Sequence, residues 1–312
     1  MMGAKIFKTI DEQIEILKSK GLIIYDETKA KNILLRENYF FLNAYRTVFL
    51  RNDGSRKFIE GTTFDELYVL FKFDRQIRNI VFKNIMIIEN NYKSMFSYVM
   101  SKSYGYKEKD YLNPNNFDNS RAKTRQIIDL VRKVKRQIRI NAPQNKATSH
   151  YINNYGYIPL WVGVKVLSFG LISEMFSILK LDNQKELASM YNLTVSDLED
   201  YLPILANYRN LCAHEDILYE HRTQKSISNT KYHSILNIEQ DEEGEYKNGK
   251  TDLYALIIIL KSMLAEDDFK MLMNEMIYEF DTLEGKIKSI GINPVLDKMG
   301  FPSNYKEIMY ID

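Results

Sequence analysis

Apolar positions recur along this chain at the three- and four-residue spacing of helices, and only rarely at the two-residue spacing of half-buried strands. The spacing predicts a short amphipathic helix over 9–20, closed by Gly21. Asp26 can cap a second helix through Leu35, and an aromatic-rich segment over 38–50 ends before the turn Asn52-Asp53-Gly54. The longest candidate runs over 64–103, as one bent helix or two, and stops at Gly105. An Asn-rich loop over 111–117 precedes a basic helix over 120–140, which Pro143 ends.

Pro159 suits the start of a helix reaching about Leu179. A short helix is expected over 183–191 and another over 195–210, kinked or started by Pro203. The polar stretch 222–250 reads as an excursion, with a short hairpin around 235–238. Helix resumes over 251–276, and the tail from Gly291 reads as irregular, with an apolar patch at 308–311.

Six widely spaced prolines and 13 glycines among 312 residues leave long uninterrupted stretches, which favours an all-α, multi-helix fold. No repeat, low-complexity segment or obvious linker divides the chain. The expectation is one continuous unit with an N-terminal helical subdomain, 1–118, and a helical region, 119–312. A content of 45% apolar residues is enough for a sizeable core, in which Trp161 is expected to pack.

The formal charge is only +2, so affinity for nucleic acid would have to come from local clustering of charge. A single cysteine, Cys212, rules out an internal disulfide framework and a cysteine-built zinc site, and suits a reducing cytoplasm. The N-terminus lacks the apolar core of a signal peptide. The apolar runs over 77–100 and 253–260 are charged or too short, so they read as core helices and no membrane is expected as a partner.

Among four histidines, only His214 sits in a compact polar constellation: Arg209-Asn210-Leu211-Cys212-Ala213-His214. Asn210 and His214 are four apart and share a face if the segment is helical, with Arg209 beside it. RNA carries its own nucleophile, the 2′-hydroxyl. Cleavage requires removing that proton, stabilising charge on phosphorus and protonating the leaving oxygen. Histidine titrates near neutrality and can move the proton. Arginine keeps its charge and offers a planar fork to phosphate oxygens. Asparagine can orient either group. This chemistry needs no metal or other cofactor. One histidine does not easily serve as acid and base together, so a homodimer bringing two motifs to one cleft is expected. The alternative at this level is an Arg, an Asn and a His near a helix end, with no chemistry.

Further segments accompany the motif. They are Asn38-Tyr39-Phe40 with Tyr45-Arg46, Phe73-Asp74-Arg75 with Ile77-Arg78, and Ile88-Glu89 with Lys93-Ser94. Tyr111-Leu112-Asn113 with Asn116-Phe117, Ile158-Pro159-Leu160-Trp161 and Leu167-Ser168-Phe169-Gly170 follow. In this order, over roughly residues 8–265, the chain resembles the Abi family of bacterial abortive-infection proteins, of the AbiD/AbiF type. That family resembles the HEPN ribonucleases, whose Arg-x-x-x-x-His motifs pair across a dimer. The resemblance implies a HEPN-like fold and a toxin used in phage defence, with Arg209, Asn210 and His214 catalytic and RNA as substrate. It also implies, for some relatives, silencing by a small RNA. Lys165, where an acidic residue is common, and the length of the excursion after Arg222 depart from the family pattern.

The basic helix carries eight cations against one acid, Asp129. At 100° per residue, Arg121, Arg125, Arg132, Arg136 and Arg139 fall within about 60° of one another, opposite an apolar stripe. Such a row suits an RNA backbone; it equally suits a solvated face paired with acids from elsewhere. The tyrosines and Asn38-Tyr39-Phe40-Phe41 can stack on bases or pack in the core. Asp74–Arg78 and Glu89–Lys93 are spaced as i,i+4 pairs, for helix stability, a buried network or a place near the cleft. Two other function classes remain open: a non-catalytic module holding a small regulatory RNA, and a protein-interaction switch that senses phage.

Overall fold

The computed structural model describes residues 6–118 and 120–311. The fold is all-α. Among the described residues, β structure is limited to isolated bridges such as Gln240 with Tyr246. One helix, Phe64–Tyr104, organises the molecule. Its 41 residues give it a length of about 60 Å. It starts at a capping box, in which Thr63 and Glu66 satisfy each other's backbone N–H, and it ends at Gly105, whose φ of 96° a side-chain-bearing residue rarely adopts. It runs unbroken because its interior holds neither proline nor glycine. Helices Glu266–Lys286, Val195–Ala213, Leu160–Gly163 and Leu181–Ser189 pack around it. It therefore buries Leu67, Ile77, Val81, Ile85, Ile88 and Phe96 on several sides. A single hydrophobic cluster extends from Ile14 to Met309. Among the described residues no helix is long and apolar enough to cross a membrane.

Several elements depart from expectation, each for a local reason. The helix expected over 159–179 is broken. Leu160–Gly163 gives way to a 3-10 turn, Val164–Val166, and a new helix, Phe169–Phe176, starts at Ser168. The Leu167 carbonyl accepts from the Lys93 ammonium at 2.8 Å instead of from a helical N–H. With only one turn of helix around it, Trp161 is 49% exposed and rests against Tyr106 rather than in the core.

The segment 251–276 holds two helices, Leu253–Met263 and Glu266–Lys286, the second running ten residues further than expected. The run Glu266-Asp267-Asp268 favours a new N-terminus, where carboxylates meet the positive end of the helix dipole. The tail is ordered: Pro294 starts Asn293–Met299, and Tyr305–Tyr310 forms a 3-10 helix that buries Ile308. No hairpin forms around 235–238, where helix Lys231–Ile235 ends. The reversal comes later, at Asp241, whose carboxylate accepts the Glu243 and Glu245 N–H groups.

The excursion 222–250 is laced closed at its base. Thr223 N–H donates to the Thr251 carbonyl at 2.8 Å and Ile227 N–H to the Lys250 carbonyl at 3.0 Å. Between them, the fully buried His233 accepts the Thr230 N–H at Nδ1 (3.0 Å) and donates from Nε2 to the Gly249 carbonyl (2.9 Å). That pattern requires the neutral ring. Burial lowers its pKa below 6.5, with Lys250 adding to the shift.

A histidine depressed in the fold contributes stability that is complete above the unfolded-state value. That stability is lost as pH falls through 6.5 toward the lower folded value. Thermal melts should therefore show stability falling on acidification below about pH 6.5. The fall should be smaller in His233→Gln, and an equal pH slope in both proteins would reject this assignment.

Candidate active site

The motif lies at the end of helix Val195–Ala213, which begins at a capping box between Thr194 and Asp197. Pro203 sits inside this helix, neither starting nor ending it. His214 is the C-cap. The helix closes with two reversed bonds: Glu215 N–H donates to the Cys212 carbonyl and Asp216 N–H to the Leu211 carbonyl. These are the bonds of a Schellman ending, whose left-handed position is usually glycine. Here Glu215 occupies it at φ 58°, at a cost of about 1 kcal/mol.

A buried cluster holds the chain beyond the cap. Asp74 on the long helix pairs with Arg78 one turn on, and both are almost fully buried. The Asp74 carboxylate also accepts the Tyr45 hydroxyl (2.7 Å) and the N–H groups of Leu218 (3.1 Å) and Tyr219 (2.8 Å). Arg78 donates to the Asp216 carbonyl at 3.2 Å. A second buried pair lies further along the same helix. Glu89 accepts Lys93 at 2.6 Å and, with its other oxygen, Arg209 Nε at 3.3 Å. Arg209 is thus anchored through Nε, over the Phe82 ring, while its terminal amino groups have no partner among the described residues.

Arg209 and His214 open onto different hollows. Arg209 lines one of about 540 Å³, together with Glu89, Lys93, Gln137, Asn141 and Lys165. His214 lines another of about 500 Å³, with Arg36, Glu37, Phe41, Arg75 and Glu215. Five residues along a helix rotate side chains by about 140°, which accounts for the separation. Asn210 and His214, about 40° apart, are both exposed. Burial pushes the Cys212 thiol up to about 12, so it is no thiolate nucleophile near neutrality. His221, half-buried against Tyr208 and bonded to Asn207 at 2.8 Å, has its pKa lowered by burial and then by Arg222.

The basic segment forms helix Thr124–Asn141, four residues shorter at its start than expected, so Arg121 precedes it. Ile127, Leu130, Val131, Val134 and Ile138 are buried. The five arginines of the row are exposed. Arg132 lies 4.0 Å from Asp129, and the other four form no ion pair among the described residues. Gln137 and Asn141 dock this helix on the loop before Phe169. Gln137 accepts the Ser168 N–H at 2.9 Å, and Asn141 donates to the Val166 carbonyl at 3.1 Å. The same two side chains form a wall of the Arg209 hollow. Among the described residues no group of three or more His, Cys, Asp or Glu side chains could hold a metal ion.

Sequence spacing points to both buried pairs but not to their third members. Arg209 is 120 positions from Glu89, and the 218–219 backbone is about 145 from Asp74. Arg36 and Glu37, which flank His214, carry no sequence signal of their own.

The Asp74 clamp makes a measurable prediction. Asp74→Ala should cost about 3–5 kcal/mol in denaturant unfolding, because Arg78 is left buried and unpaired. Asp74→Leu combined with Arg78→Met should lose less than the single change. A single variant as stable as the parent would show that the clamp contributes nothing.

The model of the Abi-like protein family matches residues 32–220, more than half of the chain. This span covers the long helix, the arginine helix and the motif. No curated protein and no solved structure matches. The match takes in both buried ion pairs and the motif they hold, and the chain belongs to the Abi-like protein family.

Proposed function

We propose that this chain is a HEPN-type endoribonuclease toxin of a cytoplasmic abortive-infection system, acting as a homodimer on RNA without a metal or other cofactor. The observation that carries the reading is the presentation of the motif. Arg209 is fixed through Nε by a buried carboxylate, its terminal amino groups have no partner among the described residues, and His214 is exposed at a clamped helix end. Membership of the Abi-like family adds the abortive-infection setting.

In the proposed reaction a His214 imidazole takes the 2′-hydroxyl proton. The oxygen attacks the adjacent phosphorus, and an imidazolium returns a proton to the departing 5′-oxygen, leaving a 2′,3′-cyclic phosphate. Arg209 stabilises the charge gathering on the phosphate, and Asn210 orients the histidine. Because Arg209 and His214 open on different hollows, a second copy would complete the site. The arginine row, in which Arg121, Arg125, Arg136 and Arg139 form no ion pair among the described residues, would carry the RNA backbone to the Arg209 hollow.

The same separation favours a second reading, a non-catalytic module that holds a small regulatory RNA on the arginine row. Purified protein incubated with total RNA, with and without chelator, distinguishes the two. Cleavage should persist in chelator, and His214→Ala should lower it about a hundred- to ten-thousand-fold while leaving the melting temperature unchanged. RNA that co-purifies uncut would favour the binding module, and cleavage surviving in His214→Ala would reject the mechanism.

The arginine row has its own test. Arg132→Gln with Arg136→Gln should weaken RNA binding and reduce its salt slope by about 1.4, the value for two phosphate contacts on a single strand. An unchanged slope would remove this helix from the RNA surface.

A further inference from the structure

The hollow beside His214 has a composition that phosphate binding alone does not explain. Its cations Arg36 and Arg75 are balanced by Glu37 and Glu215, and Arg78 is neutralised by Asp74. Arg75 lies 2.8 Å from Glu37 and 3.6 Å from Glu215. A site without net charge is a poor trap for a bare anion. It suits a flat neutral ring with a hydrogen-bonding edge.

Two further observations point the same way. Phe41 lines the hollow yet is 53% exposed, next to Phe40 at 71%. The Nε of Arg75 is buried with no hydrogen-bond partner among the described residues, although its guanidinium lies 4.8 Å from the centre of the Phe71 ring. A buried donor without an acceptor is costly, so this arginine is held in place at a price that packing alone does not explain. The walls are also strained at both sides. Asn38 holds φ 67° and caps the Phe40 N–H at 2.8 Å, and Glu215 holds φ 58°. Non-glycine residues in this region persist where the surroundings hold them, often at ligand sites.

We propose that this hollow receives one unpaired nucleobase of the RNA, stacked on Phe41. Its edge would be read by Arg75 and the carboxylates of Glu37 and Glu215, and its phosphate would lie at the mouth near Arg36 and His214. The inference rests on the ribonuclease reading for its choice of RNA, and it makes the substrate single-stranded at the cut. Aromatic stacking tolerates any base, so selectivity among bases falls to the edge contacts.

The test uses the full chain and a 2′-O-methyl hexanucleotide carrying one 2-aminopurine, which binds without being cut. The single strand should bind with a saturable change in 2-aminopurine fluorescence, and the same strand in a duplex should not. Phe41→Ala should weaken binding about tenfold and Phe41→Tyr should retain it. Phe41 is exposed, so neither variant should unfold. Equal binding of single strand and duplex, unaffected by Phe41→Ala, overturns the pocket. So does a Phe41→Ala variant that changes only the oligomeric state, since the hollow is then an interface between copies. If the strand binds through Phe41 but its 2′-hydroxyl counterpart is never cut, the ribonuclease reading falls and the pocket stands. If RNA is cut with a KM indifferent to Phe41→Ala, the pocket alone falls.

Discussion

Two buried acid–base pairs on one long helix set the position of everything that matters at the motif. Charges cost free energy to bury, and a pair of apolar residues of similar volume often stabilises a core as well or better. The return here is positional. Asp74 accepts Arg78, a tyrosine hydroxyl and two backbone N–H groups, and Glu89 accepts Lys93 and Arg209. Each acid therefore fixes a segment distant in sequence at one register. An apolar contact would permit that segment to slide, whereas a missing hydrogen bond in the interior would not be tolerated. The helix acts as a rail, with both pairs spaced along it.

The consequence for the motif is rigidity with openness. The helix Val195–Ala213 is held against the rail through Arg209, and the chain beyond its cap is held through Asp74 and Arg78. His214 lies between these two restraints, at a helix ending made left-handed by Glu215 rather than glycine. The carboxylate of Glu215 meets Arg75, so the strained residue adds a wall to the His214 hollow. A glycine there would relax the turn and remove that wall.

Helical character was legible wherever a long amphipathic or apolar run lacked internal breakers. That holds for Phe64–Tyr104 and Thr124–Asn141, and for the second of these the apolar stripe opposite the arginines was legible too. The errors have two different causes. The break at Leu167 depends on a lysine 74 positions away, and a local pattern contains no such information. The start at Glu266 had a local signal, three acids in succession, outweighed by the apolar run before it. For the site, the i,i+4 spacing of Glu89 with Lys93 and of Asp74 with Arg78 was visible, but the contacts that give those pairs their purpose are tertiary. Phe41 was visible as an aromatic and not as an exposed one, because burial is decided by what the rest of the chain covers.

The separation of Arg209 from His214 follows from helix geometry and cannot be relaxed locally. A change of register or side-chain rotamer does not remove a rotation of about 140° around a helix axis. Loosening the anchor at Glu89 would release Arg209 but would leave one oxygen of the buried Glu89 carboxylate without its partner, while the other stays on Lys93. A polynucleotide that touches both groups must therefore pass around the end of the motif helix or lie between two copies of it. Single-stranded RNA can follow either course, and a stiff duplex is poorly suited to the first. If the two groups act together as proposed, keeping them apart in one chain favours a flexible strand or a partner copy. It does so through the same buried pairs that hold the motif in place.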